Sequence, residues 1–334
     1  MKNAVSLLKD WLRSALYVSG VLGLLHRWRN RRTLTVLMFH RVLPVFSADY
    51  RFAEREFTFS SSGFARCLEF MKKHYHVISM ERLRAAVETG RKLPDRAALI
   101  TFDDGWRDTL EYALPELRRL EMPALLFLTT EVVELESGRW WQDRLAEVMA
   151  SAPLAEALLA ELGLSASGLP AAHAARIAAA RIAELPERDR QELLREYAPA
   201  EVSARQMLCA EDLPRLKPLF AIGGHGHTHG PLPESRFAAD ELRLSRDRLT
   251  RLGACHDVMS FPHGAYTENL LELVRRAGFR FVFTSDPCLV NTETHERETA
   301  AYGRIHVPEN QWTCDGDGIS RARLASFLFF RPIV

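Results

Sequence analysis

Two adjacent carboxylates end one apolar run of the sequence and offer a base beside a metal ligand. The run Ala98–Phe102 is followed directly by Asp103, Asp104 and Gly105. Adjacent like charges repel, so one of the two acids must be neutralised by a cation or protonated. A metal resolves the conflict, because one carboxylate can bind the ion while the other stays unbound and can take a proton. An Asx turn that closes a strand is the alternative interpretation.

Three histidines at alternate positions form the second group. His225, His227 and His229 follow a short apolar run and two glycines. Imidazole is the commonest metal ligand in proteins, and His225 and His229 can converge on one ion if the chain turns after His225. The spacing alone also allows the pair His225 and His227. This group therefore predicts two nitrogen ligands for a metal ion.

Together the two groups resemble the polysaccharide deacetylase family, which shares the chitooligosaccharide deacetylase homology domain. The resemblance rests on T-F-D-D-G at Thr101–Gly105 and H-x-x-x-H at His225–His229, in that order and about 120 residues apart. The chain looks most like the branch of poly-N-acetylglucosamine de-N-acetylases. The resemblance implies that Asp103 is the general base. It implies three metal ligands, which are Asp104, His225 and His229.

The third family motif, usually R-x-P-x-G, is altered in this chain, which reads S-F-P-H-G at Ser260–Gly264. Pro262 and Gly264 match, and with Tyr266 they are expected to form a groove wall, with a backbone N–H near Ala265 or Tyr266 for the oxyanion. Ser260 stands where the family often has an arginine that orients the base. Two arginines are candidate replacements, Arg107 and Arg304.

Four further side chains are candidates for contacts with a substrate. The family needs a general acid, and His40 and His306 both stand at the ends of predicted strands. We favour His40, because an aromatic–histidine pair ends the first strand in the poly-N-acetylglucosamine branch; a buried structural imidazole is the alternative for either. Trp106 and Trp141 are expected to contact the sugar, because aromatic faces suit pyranose rings. Anchoring of a neighbouring segment is the alternative for Trp141.

With these residues, the resemblance implies a metal-dependent carbohydrate deacetylase, a hydrolase that removes N-acetyl groups from an amino sugar in a polysaccharide, oligosaccharide or lipid-linked glycan. One oxygen and two nitrogen ligands fit one divalent ion, with Zn²⁺ as first choice and Co²⁺, Ni²⁺ or Fe²⁺ also compatible. A barrel amidohydrolase acting on a non-sugar amide is an alternative, suggested by H-G-H at 225–227. A non-catalytic glycan-binding protein on the same fold is another, suggested by Ser260.

Alternating strand and helix patterns must bring these groups together. Seven short apolar runs predict strands, namely Thr33–Phe39, Ala97–Phe102, Ala124–Leu128, Phe220–Ile222, Asp257–Phe261, Arg280–Thr284 and Arg304–Val307. Amphipathic helices are predicted between them, at Phe64–Lys73, Met80–Thr89, Thr109–Leu120, Asp240–Arg251 and Asn269–Ala277. Such alternation predicts a parallel sheet with chemistry at the carboxyl ends of its strands. The resemblance implies an α/β fold, an irregular (β/α)7-type barrel.

A segment of different composition interrupts this alternation. Residues 132–216 are dense in Ala, Leu, Glu and Arg, which are strong helix formers. We interpret this segment as a helical insertion, so that the barrel comprises residues 33–131 and 217–334. A chain of 334 residues is long enough for one such domain with an insertion.

The first 32 residues form a basic N-terminal segment. They carry seven Lys or Arg and one acid, a charge of +6, whereas the whole chain is only +1. Their apolar residues recur at helical spacing, which predicts an amphipathic helix suited to a membrane surface. Packing on its own domain or on a second subunit is the alternative. The uncharged run Ser14–Leu25 is far below the roughly 20 residues that cross a bilayer.

The expected location is the cytoplasm, with peripheral contact to the inner face of the membrane through the basic run His26–Arg32. The early charges do not match a signal peptide. Five dispersed cysteines without a C-x-x-C pair fit a reducing compartment. The basic segment has no nucleic-acid reading element beside it, so we expect no nucleic-acid partner.

Overall fold

The computed structural model describes residues 4–47, 49–50, 53–134, 140–164, 171–197, 206–217, 219–233, 235–293, 301–314 and 318–334. The strands in this part of the chain are β1 (Thr33–Phe39), β2 (Arg41–Leu43), β3 (Thr58–Ser60), β4 (His76–Val77), β5 (Ala97–Phe102), β6 (Ala124–Leu128), β7 (Phe220–Gly224), β8 (Val258–Ser260), β9 (Phe281–Phe283), β10 (Val290–Asn291), β11 (Ala301–Tyr302), β12 (Ile305–His306), β13 (Thr313–Cys314) and β14 (Gly318–Ile319).

The α-helices are α1 (Ala4–Val18), α2 (Val21–Arg29), α3 (Ser61–His74), α4 (Met80–Thr89), α5 (Leu114–Leu120), α6 (Trp141–Ala150), α7 (Ala152–Glu161), α8 (Ala171–Ala183), α9 (Glu187–Tyr197), α10 (Leu213–Leu216), α11 (Ala238–Arg251), α12 (Glu268–Arg276) and α13 (Arg321–Phe329). A π-helical turn, Thr109–Ala113, precedes α5. Short 3-10 turns lie at Ala210–Asp212, Pro262–Gly264 and Glu309–Gln311.

A parallel sheet bends into a nearly closed barrel. Strands β1, β5, β6, β7, β8 and β9 lie side by side in this order and run parallel. The segment 301–306 bridges the remaining gap, because β11 pairs with β9 and β12 pairs with β1. The predicted (β/α) barrel is therefore confirmed.

Strand β1 shows why these runs form barrel strands. All seven of its residues are buried. Leu34 and Val36 pack into the barrel interior, whereas Leu37 and Phe39 pack against the helices outside. A strand buried on both faces needs apolar residues at consecutive positions instead of alternate ones.

Predicted and observed elements differ mainly at the ends of the short strands. The bounds of β1, β5 and β6 are those predicted, while β7 extends to Gly224. Strands β8, β9 and β12 are shorter than their apolar runs. Strand β8 pairs with β7 through one pair of residues, Gly224 and Met259. Helices α6 to α9 lie between β6 and β7, where the helical insertion was predicted.

The N-terminal segment forms two helices instead of the single predicted helix. The break falls at Gly20, which has a left-handed φ of 81°. Helix α1 lies against α13 through an ion pair between Asp10 and Arg323. Tyr17 stacks on Phe70 of α3 with 6.5 Å between ring centroids. Across the described ranges, no helix combines the length and the apolar character that a membrane crossing requires.

Candidate active site and metal centre

The two carboxylates stand on a tight turn at the carboxyl end of β5. Asp104 has a φ of 77° and Gly105 a φ of 98°. A Cβ at position 105 would overlap the side chain of Leu128, so the turn requires glycine. The indole N–H of Trp106 donates to Asp104 Oδ2 at 2.9 Å. The turn and this hydrogen bond fix the position of the Asp104 carboxylate. Aspartate adopts the left-handed conformation more readily than most other residues do.

The histidine segment follows β7, next to β6 in the barrel. The N–H of His225 donates to Leu128 O at 2.8 Å, which continues the β6–β7 pairing. Glu241 of α11 accepts hydrogen bonds from the backbone N–H of His227 and of Thr228, at 3.0 and 2.9 Å. His229 has a φ of 60°. Left-handed conformations of non-glycine residues persist only where the surroundings hold them. Here Glu241 holds the two residues before His229, and His263 Nε2 lies 3.2 Å from His229 O.

Three side chains converge at the meeting point of these segments. Asp104 Oδ1 lies 3.5 Å from His225 Nε2 and 3.4 Å from His229 Nε2. All three residues are buried, and their ligand atoms lie within 4.8 Å of one another. Burial lowers the pKa of His225 to about 4 and lowers that of His229 well below its ordinary value. Both imidazoles are therefore neutral at pH 7, which is the form that binds a metal.

His227 lies outside this group. Its Nδ1 is 3.0 Å from Thr130 Oγ1. The pair that faces Asp104 is thus His225 and His229, and not His225 and His227. A carboxylate oxygen and two neutral imidazole nitrogens directed at one point fit a divalent transition metal such as Zn²⁺.

Ser260 holds the first histidine of this pair. His225 Nδ1 lies 2.7 Å from Ser260 Oγ and 3.2 Å from Ser260 O. A proton on Nδ1 leaves the lone pair on Nε2, the nitrogen that faces Asp104. Such outer partners of a ligating histidine fix its tautomer and its orientation.

We expect Ser260→Ala to weaken metal binding by about tenfold, which is the lower end of the range for removing an outer partner of a metal ligand. The loss should be at this lower end because the backbone carbonyl of residue 260 can still accept a hydrogen bond from His225 Nδ1. Competition with a metal-binding dye measures the affinity. Ser326→Ala is the matched control, since its hydroxyl bonds only within α13, to Ala322 O at 2.9 Å. Equal affinities of the two variants would remove Ser260 from this role.

Arg304 is the arginine that meets the predicted base. Its Nη1 and Nη2 donate to Asp103 Oδ1 and Oδ2 at 2.5 and 2.9 Å, and its Nε donates to Thr284 O at 3.0 Å. Burial raises the pKa of Asp103, but interactions with Arg304, His225 and His40 outweigh burial, and the pKa falls to about 2. Asp103 is therefore ionised at neutral pH.

The other candidate arginine is engaged elsewhere. Arg107 Nε donates to Glu111 Oε1 at 2.9 Å, and its Nη1 lies 3.9 Å from Asp212. The segment 301–306 instead brings Arg304 to Asp103, because that segment bridges β9 and β1. Sequence spacing could not distinguish the two arginines.

The two candidate acids lie side by side. His40 Nε2 is 3.9 Å from Asp103 Oδ2. The His306 ring lies 5.9 Å from the His40 ring and stacks on Phe57 at 5.1 Å. Burial lowers the pKa of both imidazoles, that of His40 to about 3, against the opposing effect of Asp103. His40 is thus the candidate acid whose imidazole, neutral at pH 7, lies beside the base.

The predicted groove residues follow β8. Pro262 is buried. Gly264 has a φ of 66°, and a Cβ there would overlap the side chain of Ser285. The Tyr266 ring stacks on Phe261 at 5.3 Å, and its hydroxyl donates to Asp286 Oδ2 at 2.6 Å. Their contact with a substrate stays a prediction.

The two predicted tryptophans donate hydrogen bonds to the segments that carry the candidate metal ligands. Trp106 is buried, with the Arg41 guanidinium 4.0 Å from its ring centroid. Trp141 is also buried and donates from Nε1 to Thr228 O at 3.1 Å. This position fits the alternative for Trp141, anchoring of the insertion, while its contact with a sugar and that of Trp106 stay predictions. The neighbouring Trp140, which the sequence also offered as part of a sugar-stacking platform, lies with its ring 4.4 Å from that of His229.

The insertion also contributes a buried ion pair that no sequence signal marked. Arg190 of α9 lies 3.2 Å from Glu131, and both side chains are nearly fully buried. Glu131 N donates to His227 O at 2.9 Å. Glu131 therefore connects the insertion to the histidine segment, through its ion pair with Arg190 and its hydrogen bond to His227.

The acid and histidine cluster lies at the carboxyl ends of the barrel strands, which is where barrel enzymes hold their active sites. Residues 90–155, which include Asp103 and Asp104, match the family model described as polysaccharide deacetylase. The resemblance to the polysaccharide deacetylase family that T-F-D-D-G and H-x-x-x-H predicted is thus confirmed. No curated protein sequence matches the chain.

Solved deacetylase structures share the fold. The deacetylase PplD of Streptococcus pyogenes, in complex with acetate, has a TM-score of 0.57 and 16% identity over 89% of this chain and 98% of that chain. IcaB from Ammonifex degensii has a TM-score of 0.55 and 17% identity over 89% and 97% of the two chains. A de-N-acetylase from Aggregatibacter actinomycetemcomitans has a TM-score of 0.55 and 13% identity over 82% and 94%.

Proposed function

We propose that the protein is a metal-dependent hydrolase that removes N-acetyl groups from amino sugars of a glycan. One observation carries the proposal: an ionised carboxylate, Asp103, fixed by Arg304, lies beside three converging metal ligands. The polysaccharide deacetylase match and the shared fold with a de-N-acetylase support it. The substrate class comprises polysaccharide, oligosaccharide and lipid-linked glycans, which the assay below separates.

Asp104, His225 and His229 would hold the ion. When bound there, a divalent ion supplies Lewis acidity, which polarises the acetamide carbonyl and lowers the pKa of water. Arg304 orients the nearby carboxylate of Asp103 by one hydrogen bond to each oxygen, at 2.5 and 2.9 Å, and each oxygen keeps a lone pair that can accept a proton.

The residues of the chain divide the proton transfers between them. Asp103 takes a proton from the attacking water as the C–O bond to the acetamide carbon forms. The N–H of Ala265 donates to Pro262 O at 3.3 Å, so we assign the oxyanion contact to the N–H of Tyr266. His40 receives the proton from Asp103 and delivers it to the amine as the C–N bond breaks. The products are acetate and the free amino sugar.

We expect His40→Ala to slow acetate release by about 100-fold, the lower range for the loss of a general acid, with little change in metal content. His306→Ala is the matched control, because the rings of His306 and His40 both contact Phe57, at 5.1 and 4.7 Å between ring centroids. Turnover and bound metal are measured on the same samples. Near-normal turnover of His40→Ala with loss in His306→Ala would transfer the role to His306.

The two alternatives differ from this proposal in substrate and in turnover. For the barrel amidohydrolase, the H-G-H pattern was the main argument, but His227 does not face the other ligands. For the non-catalytic glycan-binding protein, Ser260 was the main argument, but Arg304 contacts the base in place of the missing arginine. Both observations favour the deacetylase.

The test is acetate release from N-acetylglucosamine oligomers, N-acetylated polysaccharide and a lipid-linked N-acetyl sugar by the purified chain, with metal content from elemental analysis. We expect a single ion per chain and activity that a chelator removes and added Zn²⁺ restores. The variant His225→Ala/His229→Ala should lose the ion and the activity together. Bound metal with hydrolysis only of non-sugar amides would support the amidohydrolase, and glycan binding without metal or turnover would support the binding protein.

A further inference from the structure

The two N-terminal helices carry an apolar surface that faces away from the barrel. On α1 the exposed residues Leu8, Trp11 and Leu12 are spaced i, i+3 and i+4, and on α2 Leu24 and Trp28 are spaced i and i+4. Trp11 is 68% exposed and Trp28 is 81% exposed. We call these five residues the apolar stripe.

This exposure is concentrated in one place. Of the thirteen large apolar side chains that are exposed in the described ranges, eight lie on α1 and α2. Single exposed apolar residues are normal, whereas a cluster of this kind marks an interaction surface.

The opposite faces of the same helices are fixed to the barrel. His26 of α2 is 1% exposed, and its ring stacks on Phe329 at 3.9 Å. His26 Nε2 lies 3.2 Å from His74 O, and Arg29 donates to Phe329 O at 3.0 Å. On α1, Asp10 pairs with Arg323. Each helix therefore buries one face, and the apolar stripe is the face that the barrel leaves uncovered.

The charge around the stripe indicates what covers it. Lys9, Arg13 and Arg27 are exposed on the same helices, and the one acid, Asp10, is neutralised by Arg323. A second copy of this chain would bring an equal positive charge against this one, which costs free energy. An anionic lipid surface is complementary to it, and tryptophan is enriched at the depth where headgroups meet acyl chains.

We propose that α1 and α2 form a surface anchor that lies in the headgroup region of an anionic bilayer, with the apolar stripe inserted and the basic residues on lipid phosphates. Buried His26 belongs to the barrel contact, so the basic run 26–32 that the sequence suggested is not the anchor by itself. The anchor does not cover the site. Helix α2 ends four residues before β1 begins, at the amino edge of the barrel, whereas Asp103 follows the carboxyl end of β5.

The test is flotation of the full chain with vesicles of phosphatidylcholine, with or without phosphatidylglycerol. We expect binding to the anionic vesicles that high salt weakens. Trp11→Ser/Trp28→Ser should lower the partition coefficient by at least about tenfold, because two interfacial aromatic side chains are lost. Lys9→Gln/Arg27→Gln should lower binding to anionic vesicles by roughly tenfold or more and leave binding to neutral vesicles unchanged.

Phe46→Ser is the matched control, because Phe46 is 84% exposed on another part of the surface; it should bind like the wild type. All the variants change exposed side chains, so their thermal transitions and acetate release in solution should equal those of the wild type. Failure of the wild type to float, or equal flotation of the Trp variant, would overturn the proposal. A dimer in sedimentation that the Trp variant abolishes, without vesicle binding, would assign the surface to a second copy.

Discussion

Asp103→Asn is expected to lower the turnover of acetate release by about 10²–10⁴-fold, the range for loss of a positioned general base. The amide cannot take the proton of the attacking water, and the pKa of about 2 shows that the native carboxylate is ionised and ready to do so. Metal content should stay near that of the wild type, since Asp104, His225 and His229 are untouched. Elemental analysis and initial rates on the same samples measure both.

The same substitution also has a structural cost that must be separated from catalysis. An asparagine leaves the Arg304 guanidinium buried opposite a neutral group, so the free energy of unfolding should fall. Asp257→Asn is the matched control, because Asp257 makes a two-pronged ion pair with Arg84 at the amino end of β8, away from the site. This control should lose stability and keep its turnover. If Asp103→Asn turned over at the wild-type rate, Asp103 would not be the base.

The positions of the two motifs could be predicted from the sequence, because they depend on strand ends. The runs that became β5 and β7 are short and apolar, and each is followed at once by polar side chains. Carboxyl ends of neighbouring parallel strands meet at one edge of a barrel. Asp104 and His225 therefore had to lie at the same edge of the sheet, one strand apart, once the sheet was parallel.

The partners of these residues could not be predicted, because hydrophobic periodicity reports which positions are buried and not which side chains meet. Arg304 is 201 residues from Asp103 in sequence, and Arg107 is only four residues away. The contact between Ser260 and His225 likewise depends on the register of β7 and β8, which a single pair of residues, Gly224 and Met259, defines. The sequence showed that the usual arginine was missing but not what had replaced it.

Arg304→Met is expected to lower the free energy of unfolding by about 3–5 kcal/mol, the range for breaking a buried ion pair from one side. Arg304 is fully buried and Asp103 is 2% exposed, so the carboxylate left behind has little access to water. Turnover should fall as well, because the two hydrogen bonds that aim the base are lost. Arg304→Lys keeps the charge but not the two-pronged geometry, so its turnover should be intermediate.

A double-mutant cycle separates this pair from a general loss of packing. Asp103→Asn/Arg304→Met removes both charges, so it should be more stable in urea than Arg304→Met alone. Arg84→Met with Asp257→Asn provides the matched cycle outside the site, where turnover should stay unchanged. If the Asp103 and Arg304 effects simply added, their contact would not stabilise the site. Strong coupling in stability together with loss of turnover in every variant of this cycle would show that Arg304 positions the base as well as stabilising the barrel.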